Sequence, residues 1–237
     1  MKIKAIHTRL FREGENLEHF IVAHIPRLPD GAILTVTSKI VALSERRTAA
    51  PADKVKIIME ESEWAVPTKY VWLTIKDGMF MAAAGIDESN ANGKLILLPR
   101  NSFLAASRLR KALLKHYNIT RLGVLITDSR VLPLRAGVVG VALGYAGFGG
   151  IKDYRGGPDI FGRILKMTRV DIADSLAGSA VLLMGEGNEQ KPLAIIEDAP
   201  VEFKDRTNRR ELIIPIDDDL YVPLFGKLHL RYKKNKA

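Results

Sequence analysis

What most constrains this chain is where its apolar stretches stop. Three short segments bearing carboxylates or glycines stand at such boundaries: Ala84-Gly85-Ile86-Asp87-Glu88-Ser89-Asn90, Leu125-Ile126-Thr127-Asp128-Ser129-Arg130 and Met184-Gly185-Glu186-Gly187-Asn188-Glu189-Gln190-Lys191-Pro192. A carboxylate directly after a buried strand is fixed by the strand, yet a ligand can reach it at the sheet's edge. Oxygen-only ligands suit magnesium or manganese, and such ions most often hold phosphates. The segments point toward an enzyme that handles a nucleotide.

Around them the pattern mixes helices with hairpins. Residues 32–37 read as a buried strand ending at Ser38-Lys39, and residues 122–127 as a continuous apolar strand that runs into Asp128, with another strand over 138–143. Residues 70–75 and 79–83 read as strands joined by the hairpin turn Lys76-Asp77-Gly78. Helical spacing predicts helices over 53–64, capped by Asp53, and over 101–118, with Leu104, Leu109, Leu113 and Leu114 on its apolar side. A third, buried helix is predicted over 171–184, where Ala173, Ala177, Gly178 and Ala180 allow close packing. A glycine-rich connection is expected through Gly144, Gly147, Gly149 and Gly150, and late strands over 193–196 and 211–216. Strand and helix do not alternate strictly, so the expected fold is α+β, with mixed sheets and packed helices. It is read as a single unit over residues 1–237, with room for a two-lobed division near 145–160.

With 237 residues and 47% hydrophobic content the chain can bury a full core. No apolar run approaches the roughly 20 residues of a membrane helix, and Met1-Lys2-Ile3-Lys4 leads into a strand-like segment, not a signal peptide. There are no cysteines, which excludes disulfides, thiolate metal sites and cysteine nucleophiles and fits a cytoplasmic setting. Of the net charge of +9, part sits in Arg231-Tyr232-Lys233-Lys234-Asn235-Lys236, which reads as a solvated tail. No aromatic–basic motif of an RNA-binding sheet is present. Nucleic acid is therefore not the expected partner; a phosphate- and carboxylate-rich substrate is the better use of the surplus. The five histidines lack metal-ligand spacing and no Gly-x-Ser-x-Gly elbow occurs, so hydrolase chemistry gets no support.

Each candidate residue has a structural alternative. Asp128 is either a ligand at the sheet's edge or an ordinary turn residue, and Ser129 either a hydroxyl ligand or a cap. Asp87 and Glu88 follow three alanines and a glycine; in an extended segment they point to opposite sides, so one is expected inward. The plainer reading is a solvated acidic turn, since Asn90-Ala91-Asn92-Gly93 is itself a turn signal. The Gly185-Glu186-Gly187 turn can present backbone N–H groups to a phosphate or simply end a helix. Asp153 and Arg155, in a loop running to Asp159, either bind substrate or form a structural ion pair.

Taken together, these segments resemble the coenzyme F420-0:γ-glutamyl ligase family. The resemblance rests on Val36-Thr37-Ser38-Lys39-Ile40-Val41, Ala83 to Asn90, Ile126-Thr127-Asp128-Ser129, Gly140-Val141-Ala142-Leu143-Gly144, Asp153-Tyr154-Arg155-Gly156 with Asp159 to Arg163, and Ala173 to Ala177 through Met184-Gly185. It runs co-linearly over roughly residues 8–196. It implies an α+β homodimer and a nucleotide-dependent ligase, using GTP or ATP with two divalent ions, Mg2+ or Mn2+. On that reading Asp87, Asp128, Ser129 and Glu186 hold the metals, with Asp87 and Asp128 central to catalysis. Ser38, Asn90 and the turn Met184, Gly185, Glu186, Gly187, Asn188, Glu189, Gln190 and Lys191 contact the nucleotide, and Arg9, Leu10, Phe11 and Arg12 lie near its other end. Arg130, Arg135, Asp153 and Arg155 are candidates for the substrate, where a guanidinium suits a carboxylate.

The implied chemistry joins L-glutamate to a carboxylate acceptor, coenzyme F420-0 or similar, through an acyl phosphate. Three residue features depart from the family pattern, and the region between Ser38 and Gly85 also looks shorter than is usual there. Leu43 stands where a lysine is usual, Glu186 where a glutamine is common, and Arg130-Val131-Leu132-Pro133-Leu134-Arg135 where the family reads Phe-Gly-Arg-Pro-Trp-Arg or similar. A folate-type γ-glutamyl ligase is the nearest alternative. A non-catalytic nucleotide or nucleic-acid binder is the alternative from another class, and the spaced carboxylates Asp87, Asp128 and Glu186 speak against it.

Overall fold

The computed structural model describes residues 1–224. In chain order the elements are β1 (Lys2–Ile6), α1 (Leu17–His24), β2 (Ala32–Thr37), α2 (Ser38–Ser44), β3 (Thr48–Ala49), α3 (Lys54–Glu61), β4 (Trp64–Pro67), β5 (Trp72–Lys76), β6 (Met79–Ala82), β7 (Leu95–Ile96), α4 (Ser102–Tyr117), β8 (Leu122–Val131), β9 (Val138–Ala146), β10 (Ile151–Asp153), β11 (Arg169–Asp171), α5 (Ile172–Met184) and β12 (Leu193–Glu197). The fold is α+β, as the mixed pattern predicts.

The main sheet has the order β1-β12-β2-β8-β9, with only the β2–β8 pair parallel. Its central strands are largely apolar where both faces are covered, with Thr35 and Thr127 buried among them. One face, with Leu34, Val36, Val124, Ile126 and Ile195, packs on Phe20, Ile21, Leu109 and Leu113 of α1 and α4. The other, with Ile33, Leu125, Ala194 and Ile196, packs on Ala173, Leu176, Ala177 and Ala180 of α5. Asn101 and Asn118 bracket α4 as cap residues, Asn118 in the left-handed conformation. Leu104, assigned by spacing to the apolar side, is instead partly exposed, while Leu109 and Leu113 are buried.

The small residues of α5 do what their size allows. Ala173, Ala177 and Ala180 are fully buried, and the helix lies so close to β9 that a Cβ on Gly140 would come within 2.6 Å of the Ala177 carbonyl oxygen. The helix's far end is not buried: Leu182 is 82% exposed.

Three readings are corrected. The apolar strand does not end before Asp128: β8 continues through Asp128, Ser129 and Arg130 to Val131, paired with β9. Gly144 belongs to β9, not to a connection. Residues 211–216 form no strand: a turn at 211–212 gives way to irregular chain and a 3₁₀ turn that starts at Ile216. Their groups serve point contacts instead: the Glu211 carboxylate accepts from the Tyr145 hydroxyl and the Gly150 N–H, both at 2.6 Å, and Leu212 packs against the α5-side core. The basic run over residues 231–236 lies outside the described residues.

Candidate functional site

The strand pair β8–β9 carries an irregularity beside the site. Ile126 pairs with Gly144 and Thr127 with Ala142, so Leu143 is an extra residue on β9. Bulges of this kind re-aim the side chains next to them, and the next residue is Asp128. Its Oδ1 accepts a hydrogen bond of 3.1 Å from the hydroxyl of Ser38, the buried first residue of α2. Its Oδ2 accepts from Arg130 Nη1.

Asp87 is held by its backbone, which exchanges two 2.9 Å hydrogen bonds with Ile96. The approach to it is strained: Ala83, Ala84 and Gly85 have φ of 48°, 54° and 73°, conformations that alanine adopts at a cost. The Thr74 hydroxyl supports this turn, accepting from the Ala84 N–H at 2.9 Å while donating to the Met81 carbonyl at 2.7 Å. Lys39 Nζ lies 2.8 Å from Asp87 Oδ2 and also donates to the Ser89 carbonyl. Burial pushes the Asp87 carboxyl up, but the hydrogen bond and charge of Lys39 outweigh it and leave the group below the usual carboxylate range. Glu88 turns away and pairs with Lys54 at 3.0 Å.

The third segment closes the ring. Gly185 ends α5 at φ 83°, a left-handed turn whose missing Cβ would lie 2.3 Å from the Glu189 carboxyl carbon. That carboxylate accepts from the Gly187 N–H at 2.8 Å. Asn90 Nδ2 donates to the Gly187 carbonyl at 3.0 Å, and the Ser129 hydroxyl donates to Glu186 Oε1 at 2.5 Å. Three segments far apart in the chain thus meet side by side.

They line one cleft of about 450 Å³. Asp87, Asn90, Asp128, Ser129, Arg130 and the whole turn from Met184 to Lys191 face it, as do Arg9, Leu10 and Phe11. Ser38 sits behind Asp128. Arg12, Arg135, Asp153 and Arg155 do not line the cleft; Asp153 and Arg155 pair with each other at 2.5 Å on the β10–β11 arm. Sequence reading overlooked Lys39, although it stands in the quoted Ser38-Lys39 run, and overlooked the apolar wall of Ile40 and Leu43. Only the fold, which brings Lys39 to a carboxylate 48 positions away, shows its place.

Behind β9 lies a second carboxylate pair. Asp171 caps α5 by accepting from the Asp174 N–H, and Asp174 accepts from the Ala142 N–H. Burial pushes the Asp171 carboxyl up to about 6. A folded-state value above the unfolded one, about 3.9, means stability that is present in acid and falls as pH rises from about 4 through 6. Asparagine caps equally well without the charge. Asp171→Asn is therefore expected to lessen the fall in melting temperature between pH 4 and 6, Asp174 being raised as well, and to raise it at pH 7.5 by roughly 2–4 °C, as differential scanning calorimetry would read.

A family profile described as F420-0:Gamma-glutamyl ligase matches residues 45–198, well over half of the chain. The chain belongs to that family. Members with the name coenzyme F420:L-glutamate ligase are similar along most of their length. One from Methanococcus maripaludis strain C7 is 37% identical over 78% of this chain and 74% of its own. One from Methanocaldococcus jannaschii is 30% identical over 93% and 96%. One from Methanosarcina mazei is 32% identical over the full length of both, 100% and 100%. As a member of the F420-0:γ-glutamyl ligase family, the chain is an amide-bond-forming γ-glutamyl ligase. Among the described residues no helix is long and apolar enough to cross a membrane.

The donor set suits a hard divalent ion: carboxylates of Asp87, Asp128 and Glu186 and the hydroxyl of Ser129 are all oxygen. Yet among the described residues no three carboxylate or imidazole side chains converge into a ready-made cage.

Proposed function

We propose that this ligase joins L-glutamate to a carboxylate acceptor, coenzyme F420-0 or a similar molecule, consuming GTP or ATP with Mg2+ or Mn2+. The observation that carries the reading is the meeting of Asp87, Asp128, Ser129 and Glu186 at one cleft with the glycine turn of residues 185–187. In the reaction a carboxylate oxygen of the acceptor attacks the γ-phosphorus. The nucleoside diphosphate leaves and an acyl phosphate remains. The amine of glutamate attacks the acyl carbon, inorganic phosphate departs, and the amine's proton is lost to solvent.

Asp87, Asp128, Ser129 and Glu186 would hold the divalent ions, which supply neutralising charge for phosphoryl transfer. Asn90 and Gly187, already bonded to each other, would fix the nucleotide turn against the carboxylate loop. Lys39 and Arg9 would add positive charge at the cleft wall. The apolar side chains of Ile40, Leu43 and Met184 would keep water from the acyl phosphate. We further propose that the chain works as a homodimer. The side chains of Leu134, Ile160, Phe161 and Met167 are all at least 88% exposed, and large apolar side chains left bare commonly mark an interface.

The test incubates the protein with glutamate, nucleotide and metal, using F420-0 in one reaction and dihydropteroate in another. Mass spectrometry reads the acceptor for one added glutamate, and a phosphate assay reads nucleotide consumption. Product from F420-0 with matching phosphate release is expected. Product from dihydropteroate alone would move the acceptor to folate chemistry. Neither product nor phosphate under Mg2+ or Mn2+ would end the proposal.

A further inference from the structure

Both oxygens of the Asp128 carboxylate are already engaged inside the protein. Oδ1 takes the Ser38 hydroxyl, and Oδ2 takes the Arg130 guanidinium. Two residues apart on one extended strand, Asp128 and Arg130 project from the same side, so β8 itself enforces the pair. The Arg130 side chain is not a loose surface group. It is 7% exposed, and its Nη1 also donates to the Ser129 carbonyl at 2.9 Å.

The other edge of the guanidinium is unusual. Nε and Nη2 are buried and have no hydrogen-bond partner, a costly arrangement for a charged donor. A group left half-satisfied loses less when it moves than one whose five N–H donors are all bonded. The charge of Arg130 also reaches a second carboxylate. Burial pushes the Asp174 carboxyl up, and the Arg130 charge is among the influences that hold it back.

We propose that Arg130 is the resident cation of this site: it holds Asp128 when no divalent ion is present, and an ion must displace it to reach Asp128. The proposal rests on the reading of Asp128 as a ligand for Mg2+ or Mn2+. In the metal-free protein the guanidinium neutralises a carboxylate that would otherwise sit half-buried and charged. An incoming ion competes with it, so divalent affinity without nucleotide is held low. The displaced guanidinium stays in the cleft wall, where its freed Nη1 edge meets phosphate or carboxylate oxygens. Empty and loaded states thus differ by one exchange of cations on one carboxylate.

The experiment measures Mn2+ binding without nucleotide, from the free-ion EPR signal, for the wild type, Arg130→Gln and Asp128→Asn. Arg130→Gln is expected to bind Mn2+ about tenfold more tightly than the wild type, and Asp128→Asn to lose that binding. A second readout uses the wild type itself. The Arg130 Nε–H resonance, assigned by its absence in Arg130→Gln or in Arg130→Lys should the glutamine variant not fold, is followed as Mg2+ is added. It is expected to shift in step with binding. Unchanged or weaker Mn2+ affinity in folded Arg130→Gln, or an unmoved Nε–H signal while the wild type binds metal, overturns the proposal and leaves Asp128 as a ligand. No Mn2+ binding by the wild type, even with nucleotide added, overturns both.

Discussion

Asp128→Asn is expected, on the proposed reading of Asp128 as an ion ligand, to lower ligase turnover about a thousandfold or more, since an ion-holding carboxylate contributes several kcal/mol to phosphoryl transfer. The fold should survive. Asparagine matches aspartate in shape, and its Oδ1 can still accept from Ser38, which lies 3.1 Å from the present oxygen. The stability cost comes from Arg130, whose buried guanidinium would lose its charged partner. A melting temperature lowered by several degrees with unfolding still cooperative is the expected thermal result. The double variant Asp128→Asn with Arg130→Gln removes that orphaned charge, so it should regain stability without regaining turnover. Full turnover in the single variant would remove Asp128 from the chemistry.

The second large effect belongs to the packing of α5 on the sheet. At Gly140 an added methyl would meet backbone, the Ala177 carbonyl oxygen at 2.6 Å, along with the branched Val181 side chain. Neither can rotate away, so Gly140→Ala is expected to cost about 2–3 kcal/mol. That corresponds to roughly 5–10 °C in melting temperature for a chain of this size. Gly178 faces the same strand from the helix, but its added methyl would find its nearest neighbours at an ordinary 3.5 Å. There the gain in helix propensity, about 1 kcal/mol, should dominate and Gly178→Ala should stabilise. Chemical denaturation of the two variants side by side separates close approach from helix propensity. Gly140→Ala should also weaken the proposed nucleotide binding, because α5 ends at the turn that lines the cleft.

Much of this was legible in the residues. Apolar runs located β2 and the first part of β8, amphipathic spacing located α4 and a run of small apolar residues located α5, because burial acts within a few positions. The three boundary segments were identified, and they do converge. What could not be read was which side chain touches which. Ser38 with Asp128, Lys39 with Asp87 and Ser129 with Glu186 are pairings across the fold, and no periodicity encodes them. The extension of β8 through Asp128 was missed because the run turns polar there, while pairing to β9 continues regardless of polarity. Residues 211–216 misled for the opposite reason: the apolar run Leu212-Ile213-Ile214 fits a strand, but tethering through Glu211 gives the segment other work. Arg135 and Arg155 have the right chemistry for a carboxylate but lie, like Asp153, away from the cleft.

The strand order has a consequence for how the protein is made. β12 lies between β1 and β2, so that Lys2 pairs with Glu197 and Leu193 with Val36. During synthesis the first two strands emerge early yet have a vacancy where their shared neighbour belongs. Until residue 197 leaves the ribosome, each offers an open edge to any other nascent chain, and pairings this distant in sequence are slow to close. The glycine turn after α5 immediately precedes β12, so the strand that seals the sheet also brings in a wall of the cleft. One late strand therefore both fills the gap between β1 and β2 and completes the cleft.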